Sequence, residues 1–382
     1  MWQKPTISLL PAAMFAAGFL MLPVFSAIAA DDAEPIDQIV VVAHKDERSI
    51  RDIASNVTIV TRADLNDQLA TSINDVLRYV PGIDYEAAGT RFGTEGINIR
   101  GIGGNRVAIV VDGVPLSDHF DVGSFSNATR DFIDAGLIQN IEVLHGPASA
   151  LYGSSAIGGV VAVKTPDPFD LAGAQGFGGD AIGTWRGHDD SAHLQAMIGV
   201  GNESLGFMAG GSWHEGHEID SAAAPDSADN RTTERATGLF KIVGDNRFGH
   251  TWRAQYIRQV SETDSSLSSL LGQGRYRATT ALEGDDRYEV DLVVAAYEFG
   301  APESWIDNGV VRGFYEVANI EQTTLDERAA ARTPVSIDRF FSFEQEIAGV
   351  ELNLWKEFQG ANVSHRVGFG VEYRERETEE YR

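Results

Sequence analysis

The chain has 382 residues, enough for two domains. Its 56 acidic residues against 30 basic ones give a formal net charge of -26, which argues against a nucleic-acid partner, because phosphate binding needs a basic face. Cysteine is absent, which excludes disulfides, thiolate metal sites, cysteine nucleophiles and a lipid-modified N-terminal cysteine.

Residues 1–30 read as a cleaved signal peptide. Lys4 precedes the apolar run TISLLPAAMFAAGFLMLPVF, and Ala27-Ile28-Ala29 offers small residues at the spacing a signal peptidase reads. Pro11, Gly18 and Pro23 interrupt the run and DDAE follows at once, which disfavours a retained anchor. No later window holds about 18 uninterrupted apolar residues, so no spanning helix is predicted. Residues 31–48 form a polar linker around Ile39-Val40-Val41-Val42. That segment has high β-propensity between acidic DDAEPIDQ and charged HKDERSIRD, and suits capture by strand addition to a partner's sheet edge.

Residues 49–168 read as a compact α+β domain. NVTIVT (56–61) is a predicted strand, with Thr61 capping RADLNDQLA; Ser72 and Asp75 open INDVLRYV, and Pro81-Gly82 closes it. Val76, Leu77 and Val80 form the predicted buried stripe. GINIRG, NRVAIVVDG, LIQNIEVL and VVAVK are further strands, the second apolar enough to be buried on both faces. Between the last two lies HGPASALYGSSAIGG. It fails as a phosphate loop, because Gly159-Val160 stands where Lys and Ser/Thr are needed. GIGGNR (101–106) fails as a dinucleotide fingerprint, with Arg106 at the last glycine position. The glycines are therefore read as a mould for close backbone approach.

From residue 175 to 382, period-2 alternation dominates. Val363, Val367, Phe369, Val371 and Tyr373 point one way and Arg366, Gly368, Gly370 and Glu372 the other. Short connections (201–204, DNRF, GAPESWIDN, EFQGA) alternate with long polar ones reaching to about 235, to about 286 and over 321–340. That alternation marks a transmembrane antiparallel β-barrel, and Trp185, Trp213, Trp305 and Trp355 are placed in its interfacial girdles. About nine strands are expected. A nine-stranded barrel would be small and would leave two free edges, so the barrel here is read as incomplete. HEGH is one residue short of a helical zinc pair, and on a strand His214 and His217 face opposite sides.

Three motifs, in order, resemble TonB-dependent outer-membrane receptors. DQIVVVAH is similar to a TonB box (Asp37, Gln38, Ile39, Val40, Val41, Val42, Ala43). GINIRGIGGNRVAIVVDGVPLSD and IEVLHGPASALYGSSAIGGVVAVKT resemble the family's two plug signatures, through Arg100, Gly101, Asn105, Arg106, Asp112, Gly113, and through Glu142, Gly146, Pro147, Tyr152, Gly153, Gly158, Gly159. The resemblance implies a barrel of about 22 strands around an N-terminal α+β plug, in a bacterial outer membrane. It implies no enzymatic activity and no cofactor. Its partners would be TonB of the inner-membrane energising complex, membrane lipid and lipopolysaccharide, with the protein a monomer. The substrate implied is an iron complex. Haem is favoured here because His119 and Phe120 lie on the apical loop 113–130, and His188, His214 and His217 lie near outer strand ends; a ferric siderophore is the alternative and a passive porin-like barrel a remote one. His145 stands where the family usually has a basic residue that pairs with acidic groups on the barrel wall.

Overall fold

The computed structural model describes residues 39–40, 45, 48–49, 55–87, 95–123, 125–128, 130, 134–173, 176–218, 228–245, 249–300, 305–329, 333–360 and 363–382. The expected signal peptide and Asp37, Gln38, Val41, Val42 and Ala43 of the expected TonB box lie outside them.

The first strands are short. β1 (Ile39–Val40) pairs antiparallel with β2 (Arg48–Ser49). β3 (Val57–Thr61) runs into α1 (Arg62–Asp67) through a capping box, in which Asp64 accepts from the Thr61 N–H at 2.8 Å and Thr61 Oγ1 accepts in return. Ser72 caps α2 (Ile73–Leu77), which buries Ile73, Val76 and Leu77. β4 (Ile83–Ala87) and β5 (Glu95–Ile99) form a hairpin. β6 (Val107–Val111) is buried throughout and turns through Asp112-Gly113 into β7 (Val114–Pro115). A small hairpin follows, β8 (Phe120–Gly123) with β9 (Ser126–Ala128). β10 (Asn140–His145), one helical turn α3 (Ser149–Tyr152), β11 (Gly159–Lys164) and α4 (Pro168–Ala172) complete the domain. Its central sheet has the order β3-β10-β11-β6-β7, with β11 and β6 parallel.

The rest is one antiparallel sheet of nine strands paired in chain order: β12 (Phe177–Arg186), β13 (Ser191–Gly201), β14 (Leu205–His217), β15 (Asn230–Asp245), β16 (His250–Ser266), β17 (Thr279–Gly300), β18 (Asn308–Arg328), β19 (Val335–Gln359) and β20 (Ser364–Tyr381). The barrel is incomplete, as expected. The predicted long loops shrink, however. β16 continues to Ser266, β17 starts at Thr279, β18 reaches Arg328 and β19 starts at Val335. These stretches read as loops because both faces are rich in polar residues. They are strands because their residues pair across the ladder, as Glu262 does with Arg287 at 2.6 Å, continuing the outward row of the Arg258–Asp291 pair at 2.7 Å.

Each strand has two faces with different partners. Inward residues such as Met197, Met208, Leu239, Ile257 and Phe343 share one core with Leu65, Ile99, Leu137, Ile138 and Val161 of the N-terminal domain. Outward residues nearer the short connections are apolar and exposed: Leu194, Ile198, Phe207, Phe240, Val293, Val350, Val367, Phe369 and Val371. Farther along, the outward face carries the charged pairs just named. A lipid-facing band of about 25 Å bounded by a wet rim explains both. Trp185 and Trp305 are exposed, as girdle residues should be. Trp355 is not one of them: at 9% exposure it points inward, because its position in β19 falls on the plug-facing side.

This band carries a prediction. In the full-length protein, Val371→Arg is expected to cost about 2–4 kcal/mol of stability in bilayers and Thr323→Arg, on the wet rim, less than about 1. Urea unfolding in lipid vesicles measures both; equal costs would place the bilayer elsewhere.

Candidate functional site

The two glycine-rich signatures meet in space. The Arg106 carbonyl accepts from the N–H groups of Ile157 and Gly158 at 3.0 and 2.8 Å. The chain turns at Gly146-Pro147 after β10 and at Gly153 after α3, both glycines having positive φ. A Cβ on Gly158 would lie 2.8 Å from the Ile102 side chain, and one on Gly159 would lie 2.4 Å from the Leu144 carbonyl oxygen. At Gly158 and Gly159 the run is a mould for close packing within the plug.

The remaining signature residues serve the same packing. Arg100, in the left-handed region, donates its N–H to the Gly82 carbonyl, and Gly101 follows. The Asn105 side chain clamps the His119 backbone, donating to its carbonyl and accepting from its N–H, both at 2.7 Å. Asp112 accepts from Thr165 N and Oγ1 at 3.1 and 2.7 Å, tying the β6–β7 turn to the end of β11. Glu142 and Tyr152 line a cavity between this domain and the wall.

Polar side chains from distant strands pin the domain to the wall. Arg62 meets Asp180 at 2.8 Å, and Asp75 meets Arg186 at 2.8 Å. Asp134 and His193 Nε2 are 2.8 Å apart and both almost fully buried. Lys241 reaches Asp167 and the Thr165 carbonyl, each at 3.2 Å, while Arg253 reaches Asp167 at 3.3 Å. Gln255 donates to Asp112 at 2.8 Å, the Ser117 N–H donates to Glu316 at 3.0 Å and the Asp118 N–H to Gln345 at 2.8 Å. Just beyond β1, Lys45 pairs with Glu351, which Arg312 also holds at 2.5 Å. None of these pairs is readable as a pair in the sequence. The only trace of them is a polar residue at an inward position of an alternating strand.

The electrostatics follow from burial and partners. Burial works to raise the Asp134 carboxyl, but the hydrogen bond and charge of His193, the charge of Arg235 and the Gly136 N–H hold it below the usual range. Asp75 and Asp167 behave alike, against burial, through Arg186 and through Lys241 with Arg253. Depressed carboxylates contribute stability above the ordinary value near 3.9 and lose it as pH falls through the lower folded value. His145 is lowered by burial and then by Arg100. It therefore favours the neutral ring, and its contribution is complete above about 6.5 and fades as pH falls through its lower folded value. Its Nε2 lies 3.1 Å from Thr58 Oγ1 on β3, inside the domain, which agrees with the doubt that a histidine at this position casts on the family's contact with the barrel wall.

Asp134→Ala strips a fully buried group of its partner, so it is expected to cost about 2–4 kcal/mol of docking stability. The temperature at which trypsin begins to cut the domain in isolated membranes reads this; an unchanged temperature counts against the pin.

The candidate binding residues are dispersed. Phe120 stacks on Phe341 and Phe343, with ring centroids 5.8 and 5.5 Å apart. His119 is half-buried and lines a small void with Tyr85, Ile97 and Arg130 of its own domain. His188 sits on the β12–β13 turn, 3.3 Å from Asp189, and the His217 N–H donates to the Asp189 carbonyl. His217 is exposed and His214 faces inward, opposite sides as their spacing requires, with His214 6.0 Å from His193. A second group at the apical loop was not legible: Phe125 packs edge-on to Tyr276 at 6.3 Å, Arg339 lies 4.3 Å and Arg275 5.2 Å from its ring, and Arg382 lies 5.5 Å from the Phe120 ring. Its aromatics and arginines come from four separate segments.

With this geometry in place, comparison with known proteins is informative. The model of the TonB-dependent receptor plug domain matches residues 49–160. A vitamin B12 transporter, BtuB of Vibrio vulnificus, is 35% identical over 146 residues, 38% of this chain and 23% of that protein. Among solved structures, the E. coli ferric-catecholate import receptor Fiu superposes with TM-score 0.62 at 16% identity, covering 87% of this chain and 51% of that one. P. aeruginosa FpvA, solved with a heterologous ferric pyoverdine, gives 0.62 at 13%, covering 90% and 55%. The chain thus spans about a quarter of the curated relative and about half of the solved receptors.

Proposed function

We infer, for a chain that belongs to the TonB-dependent outer-membrane receptors, that the full-length protein binds an iron chelate at its outer face and passes it to the periplasm when TonB pulls on residues 37–43. The observation that carries this is a plug pinned by polar pairs against the inner face of strands whose outer face is apolar. A passive porin has no use for such a stopper. A soluble enzyme would not turn Val367, Phe369, Val371 and Tyr373 to water. On this reading lipid covers the apolar band, lipopolysaccharide meets the charged rim, and the protein works as a monomer.

For the substrate, the apical group supports an anionic chelate with aromatic rings, a ferric siderophore, over haem. Arginines over phenylalanine rings offer charge and stacking together at Phe120 and Phe125. The histidines do not converge there: His119 packs into its own domain, and His188, His214 and His217 belong to the β12–β14 end of the wall. In the full-length protein, Arg339→Ala with Phe125→Ala is expected to weaken ferric-catecholate binding about tenfold or more. Fluorescence titration checks it. A haemin Soret band that shifts on binding and weakens in His119→Ala, with no siderophore binding, would restore haem.

A further inference from the structure

Of the two guanidinium groups beside the Phe125 ring, that of Arg339 is the nearer, at 4.3 Å. The ring stands in the turn of the β8–β9 hairpin and packs against a small apolar cluster of Leu267, Tyr276 and Leu282, separate from the main core. That cluster gives the ring a fixed bed. A guanidinium at the end of a long side chain has none of its own. Unless something holds it, its rotamers spread the charge over a wide volume.

Asp326 does the holding. It lies near the outer end of β18 on the inward face, with none of its surface exposed. In the β18–β19 ladder Asp326 is opposite Ile337, and Arg339 is opposite Thr324, the next inward position. The two side chains are therefore diagonal neighbours on one face, within reach of each other. Arg339 Nη1 donates to Asp326 at 3.2 Å, and among the described residues Asp326 is its one hydrogen-bond partner. The carboxylate is itself clamped. Thr279 Oγ1 donates to it at 2.9 Å from the start of β17, and Arg328 Nε donates to both its oxygens, at 3.1 and 3.0 Å. One anion thus faces two cations, so the group keeps a positive excess while Arg339 is fixed in place. A carboxylate near the site of an anionic ligand is by itself unfavourable. The compensating gain is order: a cation already held over a ring costs the ligand nothing to arrange.

We propose that Asp326 is a positioning residue of the outer site: acting through Arg339, it holds a guanidinium over the Phe125 ring, so that an anionic aromatic chelate meets a cation and a ring already in place. This rests on the receptor reading above and deepens it. Charge and position predict opposite results. In the full-length protein, Asp326→Asn keeps the shape and an acceptor oxygen and removes the charge. A carboxylate that acted on the ligand only through space would, once removed, let ferric tris-catecholate bind more tightly. Loss of the hold on Arg339 predicts the reverse, a weakening of about fivefold. A role in the stability of the rim alone predicts a weakening that does not depend on Arg339. Fluorescence titration of Asp326→Asn, Arg339→Ala and the double variant separates the three. The expected result is about fivefold weaker binding in Asp326→Asn, and less than about twofold further weakening where Arg339 is already Ala. Tighter or unchanged binding in Asp326→Asn, or the same loss in both backgrounds, overturns the proposal. Should Asp326→Asn fail to fold, seen as loss of heat-modifiable gel mobility, Thr279→Val loosens the same carboxylate. It is then expected to weaken binding about twofold with Arg339 present and not at all without it, and equal effects overturn the proposal. The unmodified protein tests the receptor reading separately: if it binds no ferric chelate, that reading ends and this one with it.

Discussion

Removal of residues 37–43 from the full-length protein is expected to abolish energised uptake of a ferric chelate while leaving its binding at the outer face unchanged. An outer membrane has no nucleotide supply and holds no useful potential, so work must arrive from the inner membrane through a physical link. IVVV between charged flanks is suited to that link. It has strand propensity, and its surroundings are too polar to sink into a core, so a partner's sheet edge can add it as a strand. Among the described residues Ile39–Val40 pair with Arg48–Ser49 in a two-residue ladder, a small one to give up. Transport assays with radioactive iron in cells, alongside binding at low temperature, separate the two quantities. Uptake that survives the deletion would return the passive barrel as the better reading.

The second large effect is expected from Gly159→Val. Gly159 pairs with His145 at the start of β11, and its φ of +155° is one that L side chains rarely adopt. The space is the harder constraint. A Cβ would meet the Leu144 carbonyl oxygen at 2.4 Å and Ile99 Cδ1 at 2.7 Å, and the first of these is backbone held in the β10–β11 ladder. The Leu144 carbonyl cannot retreat without shifting the central sheet, so a cost of about 3 kcal/mol, the upper end for overpacking, is expected. The plug would become sensitive to trypsin in isolated membranes, chelate binding would fall, and the barrel would leak bulky solutes. Gly153→Val provides the contrast. It stands at φ +76° and ψ −166°, a region essentially open to Gly alone, with nothing within 4 Å of a Cβ, so it should suffer backbone strain of about 1–3 kcal/mol without any clash. Equal effects at the two positions would mean that the turn conformation matters and the close approach does not.

Some elements were legible because they rest on local rules. Thr61 and Ser72 cap their helices as their spacing with Asp64 and Asp75 requires, and Val107 to Val111 is buried on both faces as an unbroken apolar run should be. The opposite facing of His214 and His217 needed only the period of a strand. The ends of β16 to β19 were not legible. Their polar residues resemble a loop until Arg287 is seen beside Glu262 on the neighbouring strand. Trp355 was misplaced for a related reason: periodicity states which residues share a face, but not which face meets lipid.

What the chain's order of residues settled alone is therefore the alternation of the strands, the glycine mould of the plug and the charged-flanked segment before it, because each depends on neighbours a few positions away. Only the folded arrangement decided which aspartate meets which arginine, why His145 turns to Thr58 instead of the wall, and where plug and wall stand apart. Those contacts join residues up to hundreds of positions distant, and their energy depends on burial and distance, which no local pattern encodes.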